Sequence, residues 1–131
     1  MRTSERATSE LTKTELAQVL DVTEALIDQW VRDGVIPPHY YSRGEDRAYR
    51  FAPIAVALGE VMVELQDFFG VTSPRPKQVI RQMLPKLELA WQQPGVVVHF
   101  CISSEYAPLE LRGTTAAFDT ARRKLAAFAT A

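Results

Sequence analysis

Residues 22–36 read VTEALIDQWVRDGVI, and this stretch predicts one short helix with both of its ends marked. Thr23 is suited to cap the start, because its hydroxyl can accept a hydrogen bond from a free backbone N–H of the first turn. Gly34 can adopt the left-handed conformation that ends many helices, and Pro37 then prevents the helix from continuing. We expect Trp30, on the apolar side of this helix, to lie at the centre of a core.

Another capped helix precedes this one. Thr12 and Glu15 have the spacing of a capping box, which predicts a first helix over Lys13–Leu20. The capping threonines are only eleven residues apart in the chain. The sequence therefore predicts a tightly connected pair of short helices.

A β-hairpin signal follows the helix pair. Tyr40, Tyr41 and Ser42 come before a polar turn at residues 43–46. In the following residues 47–51 (RAYRF), the period of two puts Arg47, Tyr49 and Phe51 on one face of a strand and Ala48 and Arg50 on the other. The alternation predicts an aromatic face that packs on the two helices.

Helix, turn, helix and hairpin in this order make a winged helix, and the residues resemble the DNA-binding domain of MerR-type regulators and of related phage excisionases. The matching residues are Glu15, Leu16, Ala17, Val22, Thr23, Trp30, Arg32, residues 34–37 and the RAYRF run at 47–51. The resemblance extends more weakly to about residue 84. It implies a prokaryotic protein that binds double-stranded DNA, and a MerR-like role in regulating transcription. A polar N-terminus without the apolar stretch of a secretory signal, together with a single cysteine, predicts a cytoplasmic location.

In a helix-turn-helix the second helix enters the major groove, and basic groups around it contact phosphates. On this helix Gln29 can pair with adenine, Arg32 with guanine or a phosphate, and Asp28 can accept from a cytosine amino group. The resemblance implies a phosphate contact for Arg47, two residues before the hairpin tyrosine. The predicted DNA contacts are Gln29, Arg32, Arg43, Arg47, Tyr49, Arg50, Arg75, Lys77 and Arg81.

The second helix departs from the MerR pattern in its charge. The family usually has an arginine where this chain has Asp28 and an aromatic residue where it has Gln29, and residues 21–33 hold one arginine against four acids. Such a helix is poorly suited to a polyanion, because affinity for DNA comes mainly from neutralising phosphates. Two alternatives therefore stay open: a protein-interaction adaptor that uses a degenerate winged helix, and an excisionase-like factor that bends DNA.

The remaining elements predict a mainly α fold with a small β content. We expect a flexible tail at 1–10, a winged helix-turn-helix domain at 11–70, and a short helix-strand-strand-helix region at 71–131. The other predicted helices span 53–69, 75–84 and the C-terminus after Gly113, and the predicted strands span 96–102 and 106–112. Pro85 is expected to end or kink the helix before it, with another turn or two to residue 92.

Two short strands alone are marginally stable, so we expect them to pair with those of a second copy and make a homodimer.

Composition narrows the function further. The chain has 131 residues and a formal net charge of −1, which argues against an indiscriminate polyanion binder. No apolar run approaches the length of a membrane span. His99 and the single cysteine, Cys101, share a strand face but offer no third metal ligand. Glu60 and Glu64 lie one turn apart, yet such carboxylates on a helix flank are usually solvated. We therefore expect neither an enzyme nor a cofactor.

Overall fold

The computed structural model of the chain describes residues 10–43, 48–70, 72–93, 95–102, 110–113 and 115–130. Most described residues are helical, and the strands form two small antiparallel sheets, which confirms the expected fold class at this level. The predicted flexible tail lies almost wholly outside the described residues. The elements are β1 (Leu11–Thr12), α1 (Lys13–Leu20), α2 (Glu24–Arg32), a 3-10 turn (Pro38–Tyr40), β2 (Tyr41–Arg43), β3 (Tyr49–Phe51), α3 (Ile54–Phe69), α4 (Arg75–Gln92), β4 (His99–Ile102), β5 (Glu110–Gly113) and α5 (Thr115–Thr130).

Both helices of the N-terminal pair begin as predicted. The Thr12 hydroxyl accepts from the Glu15 N–H at 3.1 Å, and the Glu15 carboxylate accepts from the Thr12 N–H at 2.8 Å, which completes the capping box. The Thr23 hydroxyl caps α2 by accepting from the N–H of Leu26 at 3.2 Å. Gly34 takes the left-handed conformation, with φ +78°, after α2.

A three-stranded sheet in the order β1-β3-β2 packs against α1. Tyr41 faces Phe51 and Arg43 faces Tyr49 across the hairpin, which confirms that a hairpin forms here. Its bounds differ from the prediction, because Arg43 lies in β2 rather than in the turn and β3 begins at Tyr49 rather than at residue 47. β1 was not predicted, because two residues are too few to show an alternation; it pairs with Phe51 through Leu11. Residues 44–47, at the hairpin turn, lie outside the described part of the chain.

The core is centred on α3 and is shared by the two halves of the chain. Nine of its sixteen residues are buried, and one apolar cluster joins them to α1 and α2 on the N-terminal side and to α4 and α5 on the C-terminal side. Gly59 lies against α1, where an added Cβ atom would be 2.4 Å from Cδ1 of Leu20. At the next residue of α3, Glu60, Lys124 of α5 makes an ion pair at 2.7 Å.

The prediction for Pro85 was wrong in part, because α4 continues through this residue to Gln92 as one helix. The buried residues Ile80, Leu87 and Ala90 hold both halves of α4 on the core. Their burial offsets the backbone hydrogen bond that a proline cannot donate.

The second sheet consists of β4 and β5, with His99 facing Gly113 and Ile102 facing Glu110. β4 begins three residues later than predicted, at His99 rather than residue 96. Most of the predicted second strand, including Pro108, falls at 103–109, outside the described residues.

Candidate nucleic-acid interface

The orientation of α2 is determined by its buried side. Ile27 and Trp30 have no exposed surface, and Leu26 and Val31 are half-buried beside them. The backbone N–H groups of Val35 and Ile36 donate to the Trp30 carbonyl at 3.0 and 3.4 Å, so the chain folds back over the end of the helix. The Trp30 indole N–H is buried without a hydrogen-bond partner among the described residues. Among the described residues, the Trp30 side chain therefore anchors α2 by packing alone.

The opposite side of α2 faces solvent. Ala25, Gln29 and Arg32 are exposed, and Asp28 between them is partly exposed. Their spacing of three and four residues puts them on one face of the helix. Gln29 and Arg32, two of the three side chains predicted to contact bases, are thus exposed on one surface, with the third, Asp28, between them.

The acids of α2 have partners that the sequence did not reveal. Lys13 Nζ lies 3.2 Å from Oδ1 and 3.3 Å from Oδ2 of Asp28. Lys77 Nζ lies 2.6 Å from Oδ2 of Asp33, at the end of the helix. The Thr14 hydroxyl donates to Glu24 at 3.1 Å. Two of the four carboxylates counted between residues 21 and 33 are therefore balanced by lysines from neighbouring helices.

Arg43 is held on the hairpin by an aromatic residue. Its guanidinium carbon lies 4.6 Å from the centre of the Tyr49 ring, and Nη2 donates to the Tyr49 hydroxyl at 2.9 Å. This hydrogen bond raises the pKa of Arg43 above its ordinary value. Tyr49 in turn packs edge-on against Tyr41, with ring centres 5.2 Å apart. The arginine is exposed and has a restricted orientation.

A groove of about 450 Å³ runs between the hairpin and the first turn of α1. Arg50 lines it from β3 and donates to the Tyr49 carbonyl at 3.2 Å. The groove is lined by Thr12, Lys13, Thr14, Glu24, Arg43, Ala48, Tyr49 and Arg50. It thus brings together three of the predicted contacts, namely Arg43, Tyr49 and Arg50, beside the first residue of α2. Arg47, which the resemblance assigns to phosphate, lies outside the described residues.

The three basic residues predicted as DNA contacts on α4, Arg75, Lys77 and Arg81, have different neighbours. The Arg75 guanidinium lies 5.7 Å from the centre of the Phe69 ring, while Lys77 is engaged by Asp33. Arg81 is exposed, and its Cδ atom would be 3.9 Å from a Cβ at Gly34. Arg81 therefore lies beside the end of α2, at the opposite end of that helix from the groove.

A polar cluster links the base of the hairpin to α4. His39, for which the sequence shows no partner, has Nε2 3.3 Å from Oε2 of Glu88. The buried Tyr40 hydroxyl makes no hydrogen bond of good geometry to a described group. Its pKa is raised, chiefly by burial and then by the nearby Glu88 carboxylate. The pKa of Glu88 is lowered, first by the Tyr40 hydroxyl and then by His39.

Within the described residues, no further group joins the His99–Cys101 pair or the Glu60–Glu64 pair to make a metal or catalytic site. The described residues contain no cluster of three or more potential metal ligands. The Cys101 side chain lies outside the described part. Glu60 is held by Lys124 in an ion pair between α3 and α5, which gives this carboxylate a structural role.

Comparison with known proteins gives no family assignment. The sequence matches no protein-family model, and no curated protein is significantly similar to it. Among the described helices, none combines the length and the apolar character that a bilayer span requires.

Proposed function

We propose that the chain is a sequence-specific double-stranded DNA-binding protein of winged helix-turn-helix type, acting as a MerR-like transcriptional regulator. The observation that carries this proposal is the groove that holds Arg43 and Arg50 beside the first turn of α2. In a duplex complex the exposed face of α2 would lie in the major groove, and these guanidinium groups would contact the adjacent phosphates.

The paired acids make the charge of α2 compatible with this role. Lys13 balances Asp28 and Lys77 balances Asp33, so the helix repels phosphate less than its sequence suggests. Arg32 and Arg81 form no ion pair with any residue that the structure describes, and both remain exposed. Together with Arg43 they place positive charge at both ends of the reading helix, where the two strands that border a major groove would lie.

A homodimer fits the arrangement of the C-terminal region. Beyond its pairing with β5, β4 joins no larger sheet in the described part, and a lone two-stranded ribbon is marginally stable. Leu89 and Val97, the two exposed large apolar residues of the described chain, lie together at its base. Sedimentation of the full chain at micromolar concentration should show a dimer. A monomer would contradict the proposed homodimer.

Salt dependence of duplex binding tests the proposed function directly. The full chain should bind a labelled random-sequence duplex, with affinity falling steeply between about 50 and 200 mM salt. Arg43→Gln should flatten the slope of log affinity against log salt by about 0.9, because one phosphate contact is lost. Arg123→Gln, which removes an exposed arginine of α5, is the matched control and should leave the slope unchanged.

A protein-interaction adaptor is the second candidate function. It is favoured by one observation: two lysines near α2 are already engaged by Asp28 and Asp33, which leaves fewer cations for phosphate. An adaptor would show no duplex binding even at the lowest salt concentration. That result would replace the regulator with the adaptor.

A further inference from the structure

Lys13 and Asp28 form a two-oxygen ion pair on the surface that would face DNA. The ammonium lies 3.2 and 3.3 Å from the two carboxylate oxygens, so each side chain restricts the other. The lysine side chain is 31% exposed and the aspartate side chain 37% exposed, which leaves both reachable from solvent. Lys13 also lines the groove that contains Arg43 and Arg50.

The pair still has hydrogen-bonding capacity. An ammonium has three donors and no acceptor, and an ionised carboxylate offers about four acceptor sites and no donor. Two donors and two acceptor sites are used between Lys13 and Asp28. One donor and further acceptor sites therefore remain, side by side and about 3 Å apart, for a ligand that offers an acceptor next to a donor.

A base pair seen from the major groove offers such a ligand. In a C·G pair the cytosine N4 amino group is a donor and the adjacent guanine O6 is an acceptor. The two atoms are joined by a Watson–Crick hydrogen bond, so their spacing is also about 3 Å. We propose, on the basis of the DNA-binding function proposed above, that Lys13 and Asp28 read one C·G base pair together. Asp28 accepts from cytosine N4, and Lys13 donates to guanine O6.

The same pair discriminates against A·T, although adenine N6 and thymine O4 are also a donor and an acceptor. At A·T, the Asp28 carboxylate would lie beside the adenine N7 acceptor, and the Lys13 ammonium would lie beside the thymine methyl group. At C·G the one remaining ammonium donor lies between two acceptors, guanine O6 and N7, and can be shared by them, while the carboxylate meets no competing acceptor. Both members of the pair therefore favour C·G.

Lys13 also explains how an acid can be tolerated on this surface. An unpaired carboxylate next to phosphates lowers affinity for every DNA sequence. The Lys13–Asp28 pair has no net charge, so it can select a base pair without that general penalty. Loss of Lys13 should therefore weaken binding to all duplexes as well as weaken selection.

Selection of duplexes from a random-sequence library by the full chain tests the inference. Sites enriched by the wild-type chain should carry C·G at one position, and Asp28→Asn should reduce the preference there by about 10-fold or more. Preferences at the other positions should stay unchanged. Lys13→Gln should reduce the same preference and also lower overall affinity. Thermal melting should show that both variants fold, because the pair is partly exposed.

The control is Asp119→Asn, which removes a partly paired aspartate of α5, 3.8 Å from Arg122, and should retain the wild-type preferences. Retention of the C·G preference by Asp28→Asn, or a wild-type site with no fixed C·G pair, would overturn the inference while leaving DNA binding intact. Failure of the wild-type chain to enrich any duplex would overturn both the inference and the proposed function. The two failures are therefore distinguishable.

Discussion

Gly59 is a residue at which α3 lies close to α1. A Cβ atom added here would lie 2.4 Å from Cδ1 and 2.9 Å from Cδ2 of Leu20, well inside van der Waals contact. Leu20 is the last residue of α1 and is 5% exposed, so it has little room to move away. The absence of a side chain at Gly59 thus determines how close the N-terminal helix pair lies to the core helix.

We predict that Gly59→Ala lowers the free energy of unfolding. Alanine improves helix propensity by about 1 kcal/mol, but overpacking a core typically costs about 1–3 kcal/mol, so the clash with Leu20 should prevail. Urea unfolding of the full chain measures the difference. In a Leu20→Ala background the same substitution should be neutral or stabilising, because the clashing atoms are gone.

Gly95→Ala is the matched control, because a Cβ there has nothing within 4 Å. It should change stability little. Equal effects of Gly59→Ala with and without Leu20 would show that the close approach is not the cause.

At the level of elements, α4 is the case in which local sequence and tertiary packing disagree. Pro85 has no N–H, so the carbonyl one turn earlier, at Arg81, loses its helical partner. The end of the helix is secured from outside, since Arg122 donates to the carbonyls of Ala90 and Trp91 at 3.4 and 3.1 Å. Its guanidinium also stacks 4.7 Å from the Trp91 ring centre. Packing against α3 and α5 thus maintains a helix that its own sequence interrupts.

Pro85→Ala should therefore stabilise the chain. The substitution restores the missing hydrogen bond at an exposed helix position, and we expect a gain of about 1–3 kcal/mol. Thermal unfolding monitored by circular dichroism measures it. Pro76→Ala provides the comparison, because Pro76 lies in the first turn, where a proline is well tolerated. A loss of stability in Pro85→Ala would mean that the packing of α4 depends on a bend at the proline.

The contrast between local sequence signals and tertiary contacts also explains which features could be predicted from the sequence. Helix starts depend on neighbours a few residues away, so the caps at Thr12 and Thr23 were predicted correctly from sequence. The core position of Trp30 followed from its place on the apolar side of α2. The pairs Lys13–Asp28 and Lys77–Asp33 join residues 15 and 44 positions apart, so no local pattern contains them. The α2 surface is therefore less acidic in the fold than its sequence suggests.

At the scale of the whole molecule, the base of the hairpin is connected to α4 by a small titratable cluster. Glu88 of α4 lies 3.3 Å from His39, and the Tyr40 hydroxyl, ahead of His39, lowers the pKa of Glu88. A carboxyl whose pKa is lower in the folded than in the unfolded chain contributes stability above its unfolded pKa. That contribution disappears as the pH falls through the folded pKa.

We therefore predict that the stability difference between the wild-type chain and Glu88→Gln depends on pH. The wild-type chain should be the more stable at neutral pH, and the difference should shrink as the pH falls below the ordinary glutamate pKa of 4.5. Urea unfolding across this pH range measures it. Glu64→Gln, on α3, serves as a control for a general effect of removing a carboxylate. A difference that grows in acid would contradict the assigned sign.

The position of α3 limits how this protein can be divided. This helix packs against α1 of the proposed DNA-reading end and against α4 and α5 of the C-terminal region, so both regions share one apolar core. Truncation of the chain after residue 70 would expose to water the apolar residues of α3 that α4 and α5 cover. An engineered minimal DNA-binding domain would therefore need polar substitutions on that surface of α3, or would have to retain the C-terminal region.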